Sequence, residues 1–196
     1  MIYQGSNWNN IHNISTRSYK CGYSGCGREV SSEKGLTHLN QFGSIDGVIY
    51  ECPNCRRPTF FDTTSREQTP SVAIGNDIKN LPSEIEELWR EMRNATGQRA
   101  YTSAVLAGRK LLMHIAVEQG AGPNLEFVKY VDYLVDNHFA PPNSKSWVDQ
   151  IRKHGNEANH EIVIKTIDDA LEVLTFLEML LRFIYEFPAK VDKKIA

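Results

Sequence analysis

Between Trp147 and His160 the chain carries three side chains whose types and spacing suit anion binding and proton transfer. Read as one helix, this segment sets Arg152, Asn156 and His160 at i, i+4 and i+8, along one stripe, with Trp147, Ile151 and Ala158 on another face. A guanidinium binds phosphate oxygens, an imidazole moves a proton near neutral pH, and an amide orients either one. The plainer reading is a solvated helix face, with His160 capping the helix or bonding a backbone carbonyl. Gly155 and Ala158 are small enough to serve close helix packing instead.

A second constellation lies in the first third of the chain. Cys21 and Cys26 form a C-x4-C pair, Cys52 and Cys55 a C-x2-C pair, with 25 residues between the pairs. Each pair offers two thiolates from one tight turn, and four thiolates satisfy tetrahedral zinc. Gly22, Gly25 and Gly27 suit a backbone that must fold around a metal. The insert reads as a hairpin, with residues 43–47 as its turn and Val48-Ile49-Tyr50 leading back to the second pair. This pattern is that of a zinc ribbon. With Cys21, Cys26, Cys52 and Cys55 as ligands the Zn2+ site is closed, and hence structural. An iron–sulfur centre is the less common use of such spacing, and a thioredoxin-like pair would need a βαβ unit. His12 and His38 are further candidate ligands that four cysteines leave unneeded. Arg28, Arg56 and Arg57 beside the cysteines are candidate nucleic-acid contacts, and the alternative is solvated loop charge.

The elements that position these residues divide by texture. Residues 1–70 hold all four cysteines and short apolar runs such as Thr59-Phe60-Phe61. Residues 71–82 read as a linker, residues 83–188 as helices, and residues 189–196 as a tail. Ser83 and Glu86 make one capping-box pattern and Thr166 and Asp169 another. The second helix carries an apolar stripe of Tyr101, Ala104, Val105, Gly108, Leu111, Leu112 and Ile115, and the third is built on Phe127, Val131, Leu134 and Val135. The last helix starts at Thr166, is apolar on most sides, and should stop before Pro188. It is either the central helix of a bundle or a bundle helix that also forms a subunit interface. His114 is expected in solvent, His138 near a helix end as a satisfied core or C-terminal residue, and His154 beside core positions. The fold class is thus α+β, a small β zinc ribbon followed by a predominantly α-helical bundle of four to five helices.

A formal net charge of −2 gives no bulk attraction to nucleic acid or to an acidic membrane, although Arg109-Lys110 adds a second basic pair to Arg56-Arg57. The N-terminal residues lack a secretory pattern, and the apolar run Val173–Ile184 is interrupted by Thr175, Glu178 and Arg182, so no membrane span is expected. Close cysteine pairs rather than a disulfide framework fit a cytoplasmic protein.

The order of cysteine pairs, Ala104-x4-Arg109-Lys110-x-Leu112, Ile151-Arg152-x2-Gly155-Asn156-x-Ala158-x-His160, and a hydrophobic helix ending Tyr185-Glu186-Phe187-Pro188 resembles domain of unknown function 4145, grouped with the HEPN helical-bundle superfamily. The resemblance covers about Ser83 to Pro188, and the Gly-Asn-x-Ala-x-His segment is its most specific part. It implies a bundle that forms a homodimer. Active HEPN members are metal-independent endoribonucleases of bacterial and phage-related defence systems, and other members bind nucleotides or act as non-catalytic partners. The active motif pairs Arg-Asn with a His four residues further on. Asn156 and His160 match, Gly155 stands in the Arg slot, and Arg152 lies nearly one turn earlier. In that chemistry His160 would serve the attack of a ribose 2′-OH on the adjacent phosphate, Arg152 would hold the phosphorane charge, and Asn156 would orient His160 or the substrate. Arg109 and Lys110 are further candidate contacts to RNA, though Arg109 also suits a snorkelling place beside its stripe.

Two functions follow. One is a zinc-binding, nucleic-acid-associated accessory protein with metal-independent endoribonuclease chemistry at Arg152, Asn156 and His160. The other is a non-catalytic dimeric module that docks a protein partner and is stabilised by structural zinc.

Overall fold

The computed structural model describes residues 8–11, 14–140, 145–153 and 163–195. The chain forms two compact units, Met1–Ala73 and Ile74–Ala196. The first is built of strands and the second of helices, so the α+β class expected from the sequence is the observed one.

The first unit contains β1 (Trp8–Ile11), β2 (Arg17–Lys20), β3 (Glu29–Ser32), β4 (Gly35–Leu39), β5 (Ile45–Glu51), β6 (Pro58–Asp62) and β7 (Gln68–Thr69). Strands β2 and β3 pair as a hairpin, and the others form a five-stranded sheet ordered β1-β4-β5-β6-β7 with antiparallel neighbours. Alternation along β5 and β6 turns Val48, Tyr50, Thr59 and Phe61 inward. Tyr19 from the hairpin meets Tyr50 and Phe61 from the sheet, with ring centroids 6.1 and 5.2 Å away. That cluster, with Val48, forms the apolar core of this unit among the described residues, apart from the buried Cys21 and Cys52, and is flanked by Ile14 and Val30. A core this small leaves the unit in need of a further cross-link.

The connection between β4 and β5 runs over residues 40–44 rather than 43–47. Asn40 accepts N–H bonds from Phe42 and Ser44 on its side-chain oxygen, and its own N–H reaches the Ser44 carbonyl. An Asx turn thus closes the hairpin early, and Ile45, Asp46 and Gly47 become strand.

The second unit contains α1 (Ser83–Gly97), α2 (Tyr101–Glu118), α3 (Phe127–Asp136), α4 (Lys145–Lys153), α5 (Ile167–Leu181), a π-helical turn (Arg182–Glu186) and α6 (Phe187–Ile195). Helix α5 packs against α1, α2 and α4, and its Val173, Phe176, Leu177, Leu180 and Leu181 are fully buried. It is the central helix of the unit. The expected stripe of α2 is buried from Ala104 to Ile115, with Tyr101 packed at its edge. A Cβ on Gly108 would stand 2.6 Å from Val173 and 2.8 Å from Met92, so this residue sets the approach of α2 to α1 and α5.

Helix ends account for most differences from the sequence reading. Ser83 is the first helical residue rather than the cap, because the Pro82 carbonyl already accepts the Glu86 N–H at 2.8 Å and no side-chain cap forms. Thr166 does cap α5, with both halves of the box to Asp169 in place. Pro188 does not stop the chain, and residues 189–195 are helical rather than a tail. It falls in the first turn of α6, where a missing N–H is tolerated, after the wider π turn has reset the hydrogen-bond ladder. His138 is exposed and left-handed (φ 65°) just past the end of α3, so of its two expected places it takes the helix C-terminal one and not the core. The His138 N–H bonds the Val135 carbonyl and the Phe139 N–H the Leu134 carbonyl, a Schellman ending for α3.

Residues 74–82, expected within a linker, pack on the helices. Arg93, buried on α1, donates to the carbonyls of Ile74 (3.2 Å) and Gly75 (2.9 Å) and pairs with Asp77. Ile78 enters the core, and Asn76 donates its backbone N–H and side-chain amide to Glu178 on α5.

Candidate functional site

Two hairpin turns bring the cysteines together. Strand β2 delivers Cys21 and β3 departs after Cys26, while β5 delivers Cys52 and β6 departs after Cys55. The two turns follow one plan. The Cys21 N–H bonds the Arg28 carbonyl at 2.9 Å and the Cys52 N–H the Arg57 carbonyl at 3.0 Å. Each turn then needs a left-handed residue just past its second cysteine. Gly27 (φ 57°) fills that place in the first turn and Arg56 (φ 63°) in the second. Gly22 is needed for another reason, since a Cβ there would lie 2.0 Å from the Pro70 carbonyl oxygen, whereas Gly25 borders open space. The Tyr23 hydroxyl donates to the Pro58 carbonyl at 2.9 Å, and Arg57 lies over the Tyr23 ring at 5.1 Å, so the two turns also grip each other outside the sulfurs.

The four Sγ atoms lie within 4.8 Å of one another. Cys21 and Cys55 are 3.8 Å apart, as are Cys26 and Cys52. Those separations are far too long for disulfides, and all four cysteines are free. A tetrahedron with metal–sulfur bonds of about 2.3 Å has edges of about 3.8 Å, so the sulfur set fits one tetrahedral ion. Cys21 and Cys52 are buried and Cys26 and Cys55 half-buried. Burial pushes the Cys21 thiol up to about 12 and also raises Cys55. The Arg28 backbone N–H, aided by the Asn54 amide, holds Cys26 down near 6 against its burial. Were all four ionised, thiolates this close would need a compensating cation, and this donor set is suited to bind one.

His38, weighed as a substitute ligand, is elsewhere. Its Nδ1 lies 2.6 Å from Asp46 Oδ1, both side chains are buried, and the pair sits at the β4–β5 bulge. His12 lies outside the described residues.

The basic candidates are dispersed into local partnerships. Arg56 is exposed and pairs with Glu51 at 2.7 Å. Arg109 is half-buried with its guanidinium 4.8 Å from the Phe127 ring centre, which ties α2 to α3, while Lys110 is exposed. His114 is exposed, as expected.

Of the stripe on the fourth helix, Asn156 and His160 lie outside the described residues, as does His154. Arg152 is described. Its Nη2 meets Asp132 of α3 and its Nη1 meets Asp149 of its own helix, each at 2.7 Å. The hydrogen bond to Asp132 raises its pKa, and with the help of Asp149 it outweighs the opposing cost of burial. Beside it Ile151 and Val148 are buried, and Trp147 stands edge-on to Phe176 at 5.2 Å.

Sequence reasoning missed the partners rather than the cysteines. Asp132 sits 20 positions before Arg152 and only the packing of α3 on α4 joins them. Asn54, between Cys52 and Cys55, donates its side-chain N–H to Cys26 Sγ at 3.2 Å. Its place inside a C-x2-C turn was the available signal. Among the described residues no other cluster of metal-ligating side chains occurs, and none of the described helices is long and apolar enough to cross a membrane.

No curated protein and no solved structure matches the chain. A family model described as a domain of unknown function (DUF4145) matches residues 90–196, from within α1 to the C-terminal residue. The match covers over half of the 196 residues and falls wholly within the helical unit. The chain therefore belongs to the DUF4145 family, with the four-cysteine unit set before the family's helices.

Proposed function

We propose that the chain is a non-catalytic, dimeric interaction module of the HEPN-like class, in which a zinc ribbon is joined to the DUF4145 helices. The observation that carries this reading is the sulfur tetrad. Cys21, Cys26, Cys52 and Cys55 would take all four positions of a zinc ion, leaving none for water or substrate. Such an ion cross-links the two turns and stabilises a unit whose apolar core is small. Reduced thiols at this spacing fit a cytoplasmic setting.

The helical unit favours the same side. Arg152 already faces two carboxylates, so a phosphate would have to displace Asp132 and Asp149 before the guanidinium could serve RNA cleavage. Phe183, Phe187 and Val191 follow one another at helical spacing and are all exposed, which supports self-association through the C-terminal helices.

The test pairs metal content with RNA cleavage. The purified chain should carry one zinc per chain, lost in Cys52→Ser, and should run as a dimer in light scattering. Zinc-loaded protein should leave end-labelled single-stranded RNA intact in chelator, alongside His160→Ala. Cleavage to 2′,3′-cyclic phosphate ends that disappears in His160→Ala would replace the interaction module with a ribonuclease.

A further inference from the structure

Asn54 occupies the middle of the second cysteine turn, is exposed, and reaches across to the first. Its side-chain nitrogen lies 3.2 Å from Sγ of Cys26, the half-buried second cysteine of the other pair. An exposed asparagine in a tight turn commonly bonds its own backbone. This one instead spends its donor on a sulfur 28 positions away. The amide can face the sulfur in only one sense. A thiolate accepts hydrogen bonds, so the NH2 group must point to it and the carbonyl away.

We infer that Asn54 is a positioning residue for the metal centre, its amide N–H holding the Cys26 thiolate in coordinating orientation and drawing off part of its charge. The inference rests on the reading of the four cysteines as a metal site. Its physical basis is charge. Four thiolates around one divalent cation leave an excess of two negative charges, and donors to the sulfurs are what disperse it. The Asn54 amide is a donor to the Cys26 sulfur from the opposite turn. A cross-turn donor also couples the two cysteine pairs, since Cys26 can keep this bond only while Cys52 and Cys55 hold Asn54 in place.

The experiment titrates Co2+ into the full-length reduced protein, reading the sulfur-to-cobalt charge-transfer bands, and then displaces Co2+ with Zn2+ in competition with a chelator. Wild type, Asn54→Ala and Asn54→Asp are compared. Asn54→Ala should bind zinc about 10-fold more weakly, with its charge-transfer bands at longer wavelength because the sulfur lone pairs are no longer stabilised. Asn54→Asp keeps the shape but sets a carboxylate against a thiolate, so it should bind more weakly still. A loss of fold alone would not shift the bands of the cobalt that remains bound. Wild-type protein that takes up no Co2+ on its four thiols would overturn the metal reading, and this inference with it. Wild-type uptake with Asn54→Ala equal to it in both affinity and spectrum would overturn only the role of Asn54.

Discussion

Glu178 shows how one residue is set by partners far along the chain. It accepts the Asn76 side-chain amide at 2.7 Å, the Asn76 backbone N–H at 3.1 Å and the Arg182 guanidinium at 2.9 Å. Burial pulls its pKa up, but Asn76 and Arg182 outweigh it and hold the carboxyl below the ordinary 4.5. A carboxyl lowered on folding contributes stability that is present above its ordinary value and lost as pH falls through the lowered one. Glu178→Gln should therefore cost roughly 2 kcal/mol at pH 7, as expected for hydrogen bonds to a charged group. The gap to wild type should narrow as pH falls through that lowered value, and urea denaturation at pH 7 and at a series of acidic pH values checks this. Only the i, i+4 bond to Arg182 was readable from spacing. The bonds to Asn76 cross 102 positions and exist because residues 74–82 lie on α5's unit rather than hanging free. The same holds for Arg152, whose type and position were plain but whose charge is committed to Asp132 through the packing of α3 on α4.

At the scale of elements, the periods were legible and the ends were not. The stripe of α2 follows from helical spacing alone, because its apolar residues recur at i, i+3 and i+4. Gly108 belongs to that stripe for a steric reason that spacing does not reveal. Gly108→Val should destabilise the helical unit by about 2–3 kcal/mol, as overpacking of a tight helix contact does, because Met92 can swing aside but the branched Val173 cannot. A shift in the thermal midpoint followed at 222 nm measures it. Capping was half legible. The Thr166 box forms, and Thr166→Ala should cost about 1 kcal/mol by loss of the bonded cap. Ser83 offers the same pattern one place too late, since Pro82 occupies the cap position. Ser83→Ala should accordingly leave the denaturation midpoint unchanged, and the pair of variants tests the assignment. Pro188 misleads for a similar reason, since a proline ends a helix only when its position needs an N–H, and the π turn removes that need.

The whole molecule consists of two units with unequal means of stability. The helical unit buries a large apolar core from α1 to α5, whereas the strand unit relies on Tyr19, Val48, Tyr50, Phe61 and the cysteine tetrad. Removing metal should thus undo one unit and spare the other. After chelation, helical ellipticity should persist while protection of amides in β2–β6 against hydrogen exchange is lost, and retained protection in those strands would show that the apolar cluster suffices. The sequence by itself determined the two textures, the four clustered cysteines able to hold a metal and the central apolar helix. These depend on residue type and short spacing, which local geometry converts directly into strands, turns and helix faces. Tertiary structure alone decided what each charged side chain serves. Arg93 fastens residues 74–77, Arg152 bridges two helices, and Asn54 faces the sulfur of the other turn. Such roles depend on partners brought close by packing, because a charge or an amide is directed by whichever group desolvates beside it, and no periodicity along the chain encodes that neighbour.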